Sequence, residues 1–255
     1  MAQIKAFWKD RLLIKQYDAR EEMGANAAKE AAEAIKAVIA ARGEANIVFA
    51  AAPSQNEFLA HLLQDPTIEW EKVNGLHMDE YIGLPEGDEH SFGQYLYQHV
   101  FRHKSFKSVH YIHGWEKEKA CEEYAQTLKD FAPDIVCMGI GENGHIAFND
   151  PWVADFNDEK LVKVVPLDEV CRNQQVNDGC FKTIDEVPTH AVTLTLPALC
   201  SAKRIFCVVP APTKANAVKN TVYGDITPDC PASILRTHPS AILYCDKDSG
   251  KYLNE

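Results

Sequence analysis

Four short segments carry residue types that could move protons or hold an anion. The first is Gly139-Ile-Gly-Glu-Asn-Gly-His-Ile-Ala-Phe-Asn-Asp-Pro151, where three glycines let the backbone approach a ligand and gather Asn143, His145 and Asp150 in one loop. A carboxylate near an imidazole fixes its tautomer and raises its basicity, which suits a proton shuttle near neutral pH. The plain alternative is a glycine-rich turn around a satisfied histidine, but the loop follows an apolar strand-like run, where ligands collect. The second segment is His77-Met-Asp-Glu-Tyr-Ile-Gly-Leu-Pro85. Of its adjacent carboxylates, Asp79 and Glu80, one can point into a cleft as a general base while the other caps or pairs outside it. His77 and Asp79 are two apart and would share a face of an extended chain. No third ligand lies nearby, so no metal is expected. The third, Ala52-Pro-Ser-Gln-Asn-Glu57, opens a helix whose free N–H groups could meet an anion, with Ser54 as the natural N-cap. The fourth, Pro210-Ala-Pro-Thr-Lys-Ala215, puts Lys214 in the first turn of a helix, a conflict with the dipole that a bound phosphate would remove.

These segments need elements to position them. The Ala-rich stretch from Asp18 to Arg42 has helical spacing and a glycine stop at Gly43. Strands are expected at Asn46 to Ala52, Lys72 to Met78, Ser108 to Ile112, Asp134 to Met138, Leu161 to Val165, His190 to Leu196, Lys203 to Val209 and Ala241 to Cys245. Helices are expected from Phe58 to Leu63, Ser91 to Phe101, Glu116 to Phe131 and Thr213 to Asn220. Strands alternating with helices predict an α/β fold: a mostly parallel, Rossmann-like sheet with helices on both faces, forming one domain over residues 1–255. In such sheets ligands gather at the carboxyl ends of the strands, which is where all four segments fall.

Composition narrows the classes. The chain has 255 residues, 46% of them hydrophobic, and a net charge of −11 without a basic run, so neither a membrane span nor a nucleic-acid partner is expected. The start of the chain carries no apolar signal core, and the eight cysteines form no C-x-x-C pair. A cytoplasmic protein with reduced thiols is expected.

Taken together, Met78-Asp-Glu-Tyr-Ile-Gly-Leu-Pro85 and Gly139 to Pro151 resemble the glucosamine-6-phosphate deaminase (isomerase) family, within the wider group that includes 6-phosphogluconolactonases. The similarity runs on to Ser233-Ile-Leu-Arg-Thr-His-Pro-Ser-Ala-Ile242. The resemblance implies a conversion of an amino-sugar phosphate to a ketose phosphate plus ammonia that needs no metal or other cofactor. It assigns Asp79 as the base moving a proton between C2 and C1, and His145 as the group that helps open the ring. Asp150 stands where the family has Glu, and Asn143 where it has Asp, so here an amide orients the imidazole without stabilising its charged form. Substrate contacts are expected from Ser54, Gln55, Asn56, Met78, Gly141, Arg172 and Lys214. The family's Pro-Thr-Gly-Gly-Thr phosphate loop is replaced by Pro53-Ser-Gln-Asn-Glu57, and Gln175 aligns with its phosphate-gripping arginine, three residues after Arg172. Of the family's allosteric basic pair, Lys163 corresponds to one and Leu161 stands for the other, so activation by an N-acetylamino-sugar phosphate is not expected. Family members range from monomers to hexamers, which leaves a homo-oligomer open.

The leading expectation is therefore an amino-sugar phosphate isomerase/deaminase. A 6-phosphogluconolactonase-type hydrolase is the nearest rival, although that branch resembles Ser-Leu-Phe-Pro after its Gly-His rather than Phe148-Asn-Asp-Pro151. A non-catalytic sugar-phosphate sensor is the third reading, since fold does not imply function.

Overall fold

The structure is a computed structural model that describes residues 3–114, 118–177 and 179–253. Its chain order begins with strands β1 (Gln3–Lys9) and β2 (Leu12–Tyr17), then helix α1 (Arg20–Arg42), strand β3 (Ala45–Phe49), helix α2 (Asn56–Gln64) and strands β4 (Val73–His77) and β5 (Asp79–Tyr81). Helix α3 (Phe92–His99), strand β6 (Ser108–His110), helix α4 (Glu118–Asp130), and strands β7 (Ile135–Met138) and β8 (Val162–Pro166) follow. The chain ends with α5 (Glu169–Asn177), β9 (His190–Leu194), α6 (Leu196–Cys200), β10 (Arg204–Val209), α7 (Ala215–Tyr223) and β11 (Ala241–Asp246). The expected start of the fourth helix at Glu116 lies outside the described residues.

Eight strands form the main sheet in the order β1-β2-β11-β10-β7-β3-β4-β6, and every neighbouring pair except β1 with β2 is parallel. Alternation along β3 explains why both faces are covered. Ile47 and Phe49 join the core beneath α1 and α2, while Val48 points to the opposite core beside Met138, Val209 and Val218. Helix α1 buries Met23, Ile35 and Ile39 between small residues such as Ala27 and Ala31, each large side chain contributing about 1.5–3 kcal/mol by leaving water. Its end matches the glycine stop: Gly43 takes φ 84° and donates its N–H to the Ile39 carbonyl.

Three expectations need correction. Leu161 to Val165 and His190 to Leu196 do form strands, but in a separate three-stranded sheet, where β9 lies between β8 and β5 and pairs antiparallel with both. Apolar runs show that a strand is buried, not which strand it pairs with. Asp79 to Tyr81, beyond the strand expected to end at Met78, is the short β5. Ser54 is not an N-cap: Pro53–Gln55 forms a 3-10 turn, Gln55 is the residue before α2, and Ser54 Oγ instead accepts from Gln55 Nε2.

The chain steps from β3 outward to β4 and β6, then returns to place β7 on the other side of β3. The crevice where the order reverses is the expected place for a ligand. No described helix is long and apolar enough to cross a membrane.

Candidate active site

At that reversal point a cleft open to solvent lies over the ends of β3, β4, β7 and β10. Ala50 to Ala52, Ser54 and Gln55 line it after β3, Met78 and Asp79 after β4, Gly139 to Gly141 and His145 after β7, and Lys214 after β10. Of the expected site residues, Ser54, Gln55, Met78, Asp79, Gly141, His145 and Lys214 are thus brought together. Asn143 and Asp150 sit behind His145. His145 Nδ1 lies 2.8 Å from Asn143 Oδ1 and 3.0 Å from Asp150 Oδ1. Asn143 also accepts from the His145 backbone N–H at 3.0 Å and donates its amide to Asp150 Oδ1 at 2.8 Å. Because Nδ1 faces two acceptors, it carries the proton, and Nε2 is left as the basic nitrogen on the cleft side.

Burial pushes the Asp150 carboxyl up, but its bonds with His145, Asn143 and Cys171 and the His145 charge outweigh this and hold it below the usual range. Donor atoms of His145, Asp150 and Cys171 lie within 4.8 Å of one another, close enough for a metal trio. Hydrogen bonding inside the group gives that closeness another cause, and a cation would have to displace the Nδ1 proton.

The two adjacent carboxylates part company as the sequence suggests. Asp79 lines the cleft and is 6% exposed, and burial together with the neighbouring Glu80 pushes its carboxyl well above the usual range. Glu80 turns away and accepts from the N–H groups of Tyr81, Phe92 and Gly93 at 2.8, 3.1 and 2.8 Å, tying β5 to the start of α3. Burial, only partly offset by those bonds, pushes Glu80 up to about 7. His77 does not line the cleft with Asp79: it is fully buried, its Nδ1 accepts from the Ile112 N–H, and burial, helped by the His113 charge, lowers its pKa to about 3.

Strand β9 fastens the segments of Asp79 and His145 together. Asp79 pairs with Thr193, whose Oγ1 accepts from the Phe148 N–H, and the fully buried Asn149 donates to the carbonyls of Ile146 and Leu194. Gly141 is required by contact: a Cβ there would lie 2.1 Å from His145 Cε1. Next to Lys214, Ala211 holds φ 85°, ψ 146°, a conformation that disfavours a side chain, with its N–H donated to Asp246 Oδ2 at 3.1 Å.

Two expected contacts are not brought to the cleft. Arg172 donates to the carbonyls of Ile184 and Val187, anchoring its own loop. Asn56 accepts from the Tyr95 hydroxyl and lies outside the cleft lining. A basic type at the right place in sequence says nothing about which way its helix turns. The lining instead includes Gln174 and Gln175, both 7% exposed, together with Phe92 and Phe148. Gln175 was marked only by the alignment, and Gln174 by no signal at all. Lys163 is engaged with Val153 O and Asp158 Oδ2, both at 2.8 Å.

Comparison with known proteins agrees with this geometry. The family of glucosamine-6-phosphate isomerases/6-phosphogluconolactonase matches residues 18–243. A glucosamine-6-phosphate deaminase of Bacillus pumilus (strain SAFR-032) is 33% identical over 245 residues, 93% of this chain and 98% of that protein. One from Listeria monocytogenes serotype 4a (strain HCC23) is 32% identical over 227 residues, 88% of this chain and 94% of its own. Among solved structures, a monomeric glucosamine-6-phosphate deaminase superposes with a TM-score of 0.84 at 28% identity, covering 93% of this chain and 98% of that one. A 6-phosphogluconolactonase of Thermotoga maritima shares the fold at a TM-score of 0.75 and 18% identity, over 92% of this chain and 100% of that one. The chain belongs to the glucosamine-6-phosphate isomerase/6-phosphogluconolactonase family and is a glucosamine-6-phosphate deaminase-like enzyme within it.

Proposed function

We propose that the cleft converts a 2-amino-2-deoxy aldose, glucosamine 6-phosphate or a close relative, to the corresponding ketose and ammonia. The observation that carries the reading is that Asp79 and His145 line one cleft with opposite settings. The Asp79 carboxyl is buried and raised, whereas His145 presents a basic nitrogen backed by a low-lying Asp150. His145 Nε2 takes the anomeric hydroxyl proton and returns one to the ring oxygen, which opens the pyranose. Asp79 then removes the C2 proton and delivers it to C1. The substrate ammonium beside Asp79 favours its ionised form, as a base requires. The C2 imine that results takes up one water and releases ammonia, which balances the reaction. Asp150 and Asn143 are positioning residues here, since neither reaches the cleft.

Ser54, Gln55, Met78, Gly141 and Lys214 line the space for the rest of the sugar. Eight free cysteines fit a reducing, cytoplasmic compartment. The test is ammonia release from glucosamine, glucosamine 6-phosphate and galactosamine 6-phosphate, beside hydrolysis of 6-phosphogluconolactone. Turnover of an amino sugar that falls by about 10²-fold or more in Asp79→Asn is the expected result. Lactone hydrolysis alone, or ammonia release indifferent to Asp79→Asn, would overturn the reading.

A further inference from the structure

The end of the cleft built by the turns at 53–55 and 212–214 carries an amide where an anion would need a donor. Gln55 is 1% exposed and lines the cleft, and its Nε2 donates to the Val208 carbonyl and to Ser54 Oγ, both at 3.0 Å. Those bonds fix which way the amide points, because a flip would set its oxygen against the Val208 carbonyl. Gln55 Oε1 is therefore left as a buried acceptor with no hydrogen-bond partner. The seat is made for this side chain: a Cβ on Gly139 would lie 3.0 Å from Gln55 Nε2. An orphaned buried acceptor calls for a ligand that donates.

The surrounding charges point the same way. Lys214 is the one Lys or Arg among the described residues lining the cleft. Arg172 is committed to the Ile184 and Val187 carbonyls. Arg20 is held 2.7 Å from Glu57, which stands in the first turn of α2 and opposes an anion at that helix start. Besides Lys214, Gln55, Asp79 and His145, the polar side chains lining the cleft are the Ser54 hydroxyl and the amides of Gln174 and Gln175. A phosphate monoester near neutral pH is mostly a dianion that only accepts hydrogen bonds. Placed here, it would meet Gln55 Oε1 acceptor to acceptor. A hydroxyl, unlike a dianion, can donate to that oxygen.

We propose that this end of the cleft recognises a neutral hydroxyl terminus, so that the preferred substrate is an amino sugar without a phosphate dianion, and that Gln55 sets the choice. The inference rests on the amino-sugar reading above and names its substrate more closely. Calorimetric titration of 2-amino-2-deoxyglucitol and of its 6-phosphate, open-chain analogues that bind without turnover, tests it. The wild-type protein should bind the unphosphorylated alditol at least tenfold more tightly, and Gln55→Ala should shrink that ratio by tenfold or more. Should Gln55→Ala fail to fold, competition on the wild type serves: 50 mM inorganic phosphate should leave alditol binding unchanged. Equal or tighter binding of the phosphate, competition by inorganic phosphate, an unaltered ratio in folded Gln55→Ala, or binding of neither alditol overturns the proposal. Ammonia release separates the two readings. A protein that releases ammonia best from glucosamine 6-phosphate keeps the reaction and loses this proposal. One that binds the bare alditol but releases no ammonia from either sugar keeps the specificity and loses the reaction.

Discussion

Replacing Gly141 with alanine tests the placement of His145 without touching any side chain that carries a proton. The new Cβ would lie 2.1, 2.2 and 2.3 Å from His145 Cε1, Nε2 and Nδ1. Relaxed contacts between such atoms are about 3.5–4.0 Å, so one partner must retreat by more than about 1 Å. The backbone is poorly placed to do so. Gly141 N–H donates to the His145 carbonyl at 2.9 Å, and its own carbonyl accepts from Gly144 N–H at 3.0 Å. Gly141 is absent from the positive-φ glycines, so alanine fits its backbone conformation and the imidazole is what yields. A ring displaced by that much loses its geometry at Nδ1 with Asn143 and Asp150 and moves Nε2 away from the substrate. Misplacement of about 1 Å costs about 10²-fold and loss of general acid–base catalysis 10²–10⁴-fold, so kcat/KM should fall within that range. Overpacking should cost about 1–3 kcal/mol of stability. Steady-state ammonia release on the best amino-sugar substrate, with circular dichroism to confirm folding, measures both. A folded Gly141→Ala protein retaining kcat/KM within threefold would refute the assignment of His145 as the proton carrier.

Three further outcomes are expected. Ala211→Gly relieves the φ 85°, ψ 146° conformation before the Lys214 turn and should raise stability by about 1 kcal/mol in urea melts, so a loss there contradicts strain at this residue. Glu80 is raised to about 7 in the fold, so its contribution is complete below its unfolded value near 4.5 and is lost as pH rises through 7. The stability advantage of wild type over Glu80→Gln should therefore shrink by roughly 3 kcal/mol from pH 4.5 to pH 8, and a difference independent of pH refutes it. Asn143→Asp would place a second carboxylate 2.8 Å from Asp150 Oδ1 and beside the His145 ring. Both the carboxylate pair and the imidazole should then hold their protons to higher pH, moving the acid limb of the kcat/KM profile up by about one unit. An unchanged profile would show that the amide at 143 does not tune the site.

What was legible in the sequence followed from local signals. Helix α1 announced itself by spacing and by Gly43, and β3, β7, β10 and β11 by continuous apolar runs. The N-terminal hairpin of β1 and β2 escaped notice because β1 is an edge strand, half exposed and too mixed to read as core. Strand β5 is three residues long, below any period, and the separate sheet of β8 and β9 depends on pairing that hydrophobicity does not encode. At the site, Ser54, Asp79, Gly141, His145 and Lys214 line the cleft from short segments at strand ends, where position follows from where the strand stops. Arg172 and Asn56 lie outside the cleft lining because helical phase and local partners decide their direction, and Gln174 enters the lining by the same phase.

Strand β9 has a consequence for how such a protein diversifies. Asp79 and the loop of His145 are riveted to one strand that belongs to the smaller sheet, through Thr193, Phe148 and Asn149. The turns at 53–55 and 212–214 that line the cleft hang from β3 and β10 of the larger sheet. Asp79 and His145 thus gain a second support in the smaller sheet, besides β4 and β7 of the larger sheet that they follow. Substitutions in the 53–57 turn can alter what enters the cleft while the distance between base and acid stays as it was. Descendants of one ancestral reaction can then exchange substrates by editing a single 3-10 turn, with the chemistry inherited intact.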